Sequence, residues 1–321
     1  MAVRAKTRKV VIIGAGHVGA HCASSLMNRH LVNEIVFLDM NQEAAHAQVL
    51  DLDDLAAGMG DSFDIRVGDY GDCEDAKFVV VTAGRSRRPG ESRLDMLSGT
   101  KRVLDSILDP LKDSGFRNFL ISVSNPSDVV TEYIYRRMGL PRTQVFGSGT
   151  ALDSIRLRRL LGDQLGVDRN QVQAICMGEH GDSSFIPTSH ISVGGMPLRE
   201  YLSLMPGLQR QLDFGALAER VRESGSSIVN GKGCTEFGIG STVAGIIGSI
   251  LHNDRRVIPL SAHLEGEYGE RGISIGVPCL LGVDGIEQIF EYELTYDETR
   301  AMRKSCNTVR GYVNQIFGED D

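Results

Sequence analysis

The chain has 321 residues, 41% of them hydrophobic, and a formal net charge of −8 at pH 7. That length and apolar content allow two medium domains or one large one with a sizeable core, while the acidic balance argues against a general nucleic-acid binder. The six cysteines form no CxxC pair and match no metal-ligand spacing, which fits reduced thiols rather than a disulfide framework, and no metal is expected.

The chain opens with "MAVRAKTRKVVIIGAG", whose only apolar run, "VVII", is too short for a signal peptide. The longest later apolar stretch, "TVAGIIGSIL", is too short to span a bilayer. A soluble cytoplasmic protein is expected. In the first half, β-branched runs predict strands at 9–13 ("KVVII"), 34–38 ("EIVFL"), 77–81 ("KFVVV") and 116–123 ("FRNFLISV"). Helical patterns at 17–30, 41–57 and 94–114 separate them. Continuous apolar strands alternating with helices indicate a parallel sheet covered on both faces.

The second half has a different texture. An amphipathic helix is expected at 152–165 ("LDSIRLRRLLGDQL"), then a strand in 173–185 and a hairpin in 189–198. Helices follow near 211–230 and 240–252, a strand near 273–280, and a polar C-terminal helix. The expected fold class is α/β: a doubly wound Rossmann domain over 1–149 and an α+β substrate domain over 150–321.

"VVIIGAGHVGA" places Gly14, Gly16 and Gly19 between a strand and a helix. The first glycine permits a tight turn, the second lets the backbone approach a pyrophosphate, and the third allows close packing of helix on sheet. The helix N-terminus then faces negative charge. Asp39 ends the second strand, 25 positions after Gly14. Its carboxylate suits a ribose diol and repels a 2′-phosphate, so NAD is expected over NADP. The alternative is an empty Rossmann-like domain in which Asp39 caps a helix.

Two further stretches carry chemistry. "GRSRRPGESR" (84–93) packs four arginines into ten residues that cannot form a buried element. It is either a solvated turn or a lid over an anionic substrate. "GEHGDS" (178–183) sets His180 between glycine-rich flanks, and "LDSIR" puts Asp153 and Arg156 on one helix face. That pair is either an exposed intrahelical salt bridge, or a buried aspartate orienting His180 beside an arginine that clamps a carboxylate.

With "GAGHVG", "TAGRSRRPGESR", "SNPSD", "GSGTALDSIRLR", "GEHGDS" and "NGKGCTEFG" in this order, nearly the whole chain resembles the NAD-dependent L-lactate/L-malate dehydrogenase family. The resemblance implies that His180 exchanges a proton with the substrate oxygen, that Asp153 holds the imidazole, and that Arg156 binds the substrate carboxylate. It also implies that Arg93, ending the lid, polarises the carbonyl, that Asn125 lies beside carbonyl and nicotinamide, and that Thr235 lines the pocket. Arg85 and Arg88 are read as solvated, or Arg85 as close to cofactor phosphates. The implied cofactor site comprises Gly14, Gly16, His17, Val18, Gly19, Asp39, Thr82, Ala83, Gly84 and Asn125. Members of this family usually assemble as dimers of dimers, and the helix at 41–57 is the expected subunit contact.

Arg87 falls where that family reads substrate size. An arginine there suits the second carboxylate of oxaloacetate, whereas Glu179, the lid sequence "PGESRLDM" and Thr235 resemble lactate-type members. The reading is L-lactate dehydrogenase. Malate dehydrogenase and a 2-hydroxyisocaproate-type enzyme are alternatives, and a non-catalytic NAD-binding protein is the reading from another class. For a sugar-bisphosphate regulatory site the family pattern finds its arginine in Arg158 but Gln173 in place of its histidine.

Overall fold

The computed structural model describes residues 8–84, 93–209 and 212–317, without the side chains of 93–96 and 209. Its first half runs β1 (Lys9–Ile13), α1 (His17–Asn28), β2 (Glu34–Leu38), α2 (Gln42–Met59), β3 (Asp64–Val67), β4 (Phe78–Val81), α3 (Arg93–Asp113), β5 (Phe119–Ser122), α4 (Ser127–Met138) and β6 (Val145–Gly147). The second half begins with α5 (Ala151–Leu165), β7 (Val172–Gln173), β8 (Ser192–Val193), β9 (Met196–Pro197), α6 (Leu198–Leu204) and α7 (Pro206–Gln209). It ends with α8 (Phe214–Lys232), α9 (Phe237–His252), β10 (Arg256–Glu265), β11 (Arg271–Gly282), β12 (Gly285–Ile289) and α10 (Tyr296–Phe317).

The first six strands pair in parallel in the order β6-β5-β4-β1-β2-β3. This is the doubly wound arrangement, and the chain reverses direction of travel between β1 and β4. Helices cover both faces, so the central strands have no solvent side: Val10, Val11, Ile12, Val79 and Val80 are fully buried. Each such side chain contributes on the order of 1.5–3 kcal/mol.

The sheet does not stop at residue 150. β10 pairs antiparallel with β6 through Ser261 and Gly147, and β11 and β12 follow, giving one nine-stranded sheet. A large core joins this sheet to α1, α4, α9 and α10. A second, smaller core lies wholly in the second half, between α5, α6, α8 and the three-stranded sheet β7-β8-β9.

Seven elements escape the sequence reading: β3, α4, β6, α6, α7, β10 and β12. Helix α4 is buried on nearly every side, from Ser127 to Ile134, so it shows no amphipathic period, and its valines, isoleucine and tyrosines favour strand. In β10, Pro259, Ser261 and His263 interrupt the apolar run, although Pro259 simply faces Pro278 of β11. The expected strand over 173–185 is also corrected. Only Val172 and Gln173 form a strand, and beyond them the chain touches the sheet through single bridges, Met177 to Phe185 and Gly178 to Gly276. Gly178 has φ +88°, which ends extended structure there and turns the following segment into a loop.

Candidate active site

The site forms at the carboxyl edge of the parallel strands, where β1 and β4 diverge and open sheets leave a crevice. Gly14 follows β1, Thr82–Gly84 follow β4, Asn125 lies just beyond β5, and Ser148 and Gly149 lead from β6 into α5.

The glycine loop is built for close approach. Gly14 has φ +112°, and a Cβ there would lie 2.7 Å from both Ala83 N and Thr82 Oγ1. At Gly19 a Cβ would lie 2.0 Å from the Gly14 carbonyl oxygen. Both glycines are therefore required by packing. Gly16 differs: nothing lies within 4 Å of its missing Cβ, and no side chain caps α1, which begins at His17. The first N–H groups of that helix, those of His17, Val18 and Gly19, are thus free to meet an anion in open space, as a dinucleotide pyrophosphate requires. Thr82 Oγ1 donates to the Gly14 carbonyl at 2.9 Å and ties the loop to β4, while Ser124 Oγ donates to the Ala83 carbonyl at 2.5 Å. The exposed Gly84 follows directly.

Asp39 does not cap a helix; Asn41 caps α2 by accepting from Ala44 N. Instead, Asp39 Oδ2 accepts from Ala15 N at 2.7 Å and Oδ1 from Asn41 N at 2.8 Å. The carboxylate is half-buried beside the glycine loop. Each oxygen keeps a lone pair for a ribose hydroxyl.

His180 sits on a loop held from three directions. Its backbone N donates to Asp128 Oδ2 of α4 at 2.7 Å. The neighbouring Glu179 N donates to Ser305 Oγ of α10 at 2.6 Å, and Gly178 exchanges two hydrogen bonds with Gly276 of β11. Glu179 folds its carboxylate back onto Ser183 and closes the turn. The imidazole Nδ1 lies 2.6 Å from Asp153 Oδ2, which leaves Nε2 as the nitrogen that can meet a substrate. Asp153 Oδ1 in turn accepts from Arg156 Nη1 at 3.0 Å.

This relay is not a solvated surface pair. The side chains of Asp153, Arg156 and His180 are 8%, 12% and 27% exposed. The charge of Asp153 lifts the His180 pKa from 6.5 to about 9 against the cost of burial. Burial alone would raise the Asp153 pKa, but His180 and Arg156 outweigh it and hold the carboxyl below its ordinary value. Asp128 behaves differently. Burial pushes its pKa up to about 6, although Ser261 Oγ and His180 N both donate to it.

His180, Asp153, Arg156, Asn125, Thr235 and Val18 all line one cavity of about 300 Å³. A neighbouring cavity of about 250 Å³ shares Asn125 and His180 and reaches Leu97 of α3 and Tyr312 of α10. The structure also brings in residues that sequence reasoning missed. Arg222 and Gly225 of α8 cross the first cavity, and Gly225 leaves its missing Cβ 3.8 Å from the Arg156 guanidinium. Asp128, which anchors His180, stands inside the quoted "SNPSD" motif three positions after Asn125; that spacing was its only sequence signal. Arg93 begins α3, but its side chain lies outside the described residues, as do Arg85, Arg87 and Arg88. Arg158 faces a separate cavity of about 280 Å³ with Arg29 and Arg256, and burial and Arg256 lower its pKa. Gln173 is exposed on β7.

Comparison with known proteins identifies the family. Residues 8–147 match the lactate/malate dehydrogenase NAD binding domain, and residues 150–319 the alpha/beta C-terminal domain of the same family. The chain is 40% identical to L-lactate dehydrogenase 1 of Bifidobacterium longum subsp. longum over 309 residues, covering 96% of this chain and 98% of that one. It is 39% identical to L-lactate dehydrogenase 3 of Bacillus anthracis over 310 residues, covering 97% and 98%. Among solved structures it resembles the minor L-lactate dehydrogenase of Enterococcus mundtii in its ligand-bound form, with TM-score 0.93, 34% identity and coverage of 98% and 100%. Among the described residues no helix is long and apolar enough to cross a membrane. The chain is an NAD-dependent dehydrogenase and belongs to the lactate/malate dehydrogenase family.

Proposed function

We propose that the protein is an L-lactate dehydrogenase that interconverts pyruvate and L-lactate. The observation that carries this reading is the buried relay of Arg156, Asp153 and His180, gathered in one cavity beside the glycine loop. NAD supplies the acceptor or donor of the hydride. Arg156 binds the substrate carboxylate by a charge-assisted contact, which points the substrate oxygen toward His180 Nε2. With its pKa near 9, His180 is protonated at neutral pH and is ready to donate as pyruvate is reduced. In the reverse direction it takes the hydroxyl proton, and Asp153 stabilises the resulting imidazolium. Asn125 and Thr235 line the substrate pocket, while the family resemblance assigns Arg93 to polarising the carbonyl and Arg87 to reading substrate size.

Gly14, Gly16, His17, Val18 and Gly19 hold the cofactor phosphates, Asp39 the adenosine ribose, and Thr82, Ala83 and Gly84 the wall opposite. The assembly is a cytoplasmic homotetramer, for which the 67% exposed Leu50 on the outer face of α2 supplies contact surface; a monomer in sedimentation at micromolar concentration would contradict it. Replacing His180 with Asn tests the chemistry. The variant should fold and bind NADH while losing pyruvate reduction by several orders of magnitude, and near-normal turnover would refute the assignment.

A further inference from the structure

A second group of chemically active side chains lies outside the relay, where α1 meets the segment joining α8 to α9. Three donors converge on one carboxylate oxygen there. Glu236 Oε2 is 3.2 Å from His17 Nδ1, 3.4 Å from His21 Nδ1 and 3.6 Å from Cys234 Sγ. The donor atoms of His17, Cys234 and Glu236 all lie within 4.8 Å of one another. Zinc bonds of about 2.0–2.3 Å arranged tetrahedrally separate neighbouring ligand atoms by roughly 3.5 Å, so the His17–Glu236 and Cys234–Glu236 separations are close to those of a filled site.

We propose that His17, Cys234 and Glu236 form a binding site for a borderline divalent cation of the zinc type, bridging the glycine loop to the segment that carries Thr235. The donor set is one imidazole, one thiolate and one carboxylate, which selects Zn2+ over the oxygen-seeking Mg2+ and Ca2+. Three protein ligands leave a fourth position for water. His21 supports the site without ligating. Its Nδ1 is 2.9 Å from the His17 carbonyl oxygen, and the same nitrogen faces Glu236 Oε2, so it orients both ligand residues. Lys232 pairs with the other carboxylate oxygen, Oε1, and leaves Oε2 for the cation.

Entry of the cation breaks the S–H bond of Cys234, forms the S–metal bond and releases that proton to solvent, with no change of oxidation state. Cys234 is the only cysteine of the six that is not buried, so no other thiol competes. Cys234 and Glu236 are two positions apart but His17 is more than two hundred residues away, and only one cysteine takes part, which is why cysteine spacing does not reveal the site.

The consequence for turnover follows from position. Cys234 and Glu236 flank Thr235 on both sides, and His17 stands between Gly16 and Gly19. A cation held by all three fixes the mouth of the cavity and restrains both sides of the crevice, so zinc should slow the enzyme reversibly. This site is independent of which 2-oxo acid is reduced.

The test is titration of the chelator-treated full-length protein with Co2+ and Zn2+ without cofactor. We expect one Co2+ per chain, bound with release of about one proton, with a thiolate-to-cobalt charge-transfer band and the strong visible absorption of a tetrahedral centre, both abolished by one equivalent of Zn2+ without further proton release. Cys234→Ser should remove the charge-transfer band, weaken Zn2+ binding at least tenfold and abolish zinc inhibition while basal turnover persists. Glu236→Gln, which keeps the thiol, should weaken Zn2+ binding similarly and serves as the second variant. A charge-transfer band that survives Cys234→Ser, a weak octahedral cobalt spectrum in the unmodified protein, or zinc affinity unchanged in both variants would overturn the proposal.

Discussion

Replacing Asp153 with Asn keeps the side chain's shape and removes the charge that governs His180. The rise of the His180 pKa from 6.5 to about 9 corresponds to about 3 kcal/mol of preference for the imidazolium, at about 1.4 kcal/mol for each tenfold change. Without the carboxylate, burial and the positive Arg156 still lower the histidine pKa, and burial outweighs the opposing charge of Asp128. It should then fall below 6.5, leaving less than about one quarter of His180 protonated at pH 7. Pyruvate reduction, which needs the protonated form, should lose at least about a hundredfold in kcat/KM, because the Nδ1 partner that sets the tautomer is also lost.

The pH profile is the sharper readout. In the unmodified protein kcat/KM for pyruvate should fall as pH rises through about 9, and in Asp153→Asn the falling limb should move below 6.5. Stability carries the same signature. A raised histidine pKa contributes stability that is fully present below 6.5 and lost as pH rises through about 9. The unmodified protein should therefore lose melting temperature across that window, and the variant much less. Measuring kcat/KM from about pH 5.5 to 9.5, with an NMR titration of the His180 ring, checks both. A falling limb that stays near 9 in the variant would show that Asp153 does not set the proton affinity of His180.

Asp39→Ser should erode discrimination between NADH and NADPH by at least about tenfold, roughly 1.4 kcal/mol; an unchanged ratio of kcat/KM would place the Asp39 carboxylate away from the ribose. Arg87→Gln should lower oxaloacetate reduction by about tenfold with a smaller effect on pyruvate, and an unchanged ratio would place Arg87 outside the pocket.

Legibility in the sequence followed solvent contrast. The expected ranges 9–13 and 34–38 coincide with β1 and β2, because continuous β-branched runs bounded by glycine or aspartate admit few other structures. Helix α5 differs from its expected range by one residue, since one face meets water and the other the second core. Helix α4 and strand β10 were illegible for the opposite reasons: the first has no exposed face and the second mixes proline and polar residues into a buried strand. The extension of the sheet beyond β6 depends on a single pairing, Ser261 with Gly147, that no local pattern encodes. In the site, Asp153 and Arg156 share a helix face by spacing, but their meeting with His180 is tertiary. Asp128 and Arg222 were missed because an aspartate after "SNPS" and an arginine in a helix look like ordinary surface residues until the chain folds them inward.

The central claim is that this cavity reduces a monocarboxylic 2-oxo acid. Oxidation of NADH by the unmodified protein, followed with pyruvate and with oxaloacetate as separate substrates, tests it most directly. On the proposed assignment the relay binds one carboxylate and Arg87 would attract a second, so kcat/KM should be higher for pyruvate with measurable turnover of oxaloacetate. A kcat/KM for oxaloacetate far above that for pyruvate would contradict the assignment and make the protein a malate dehydrogenase.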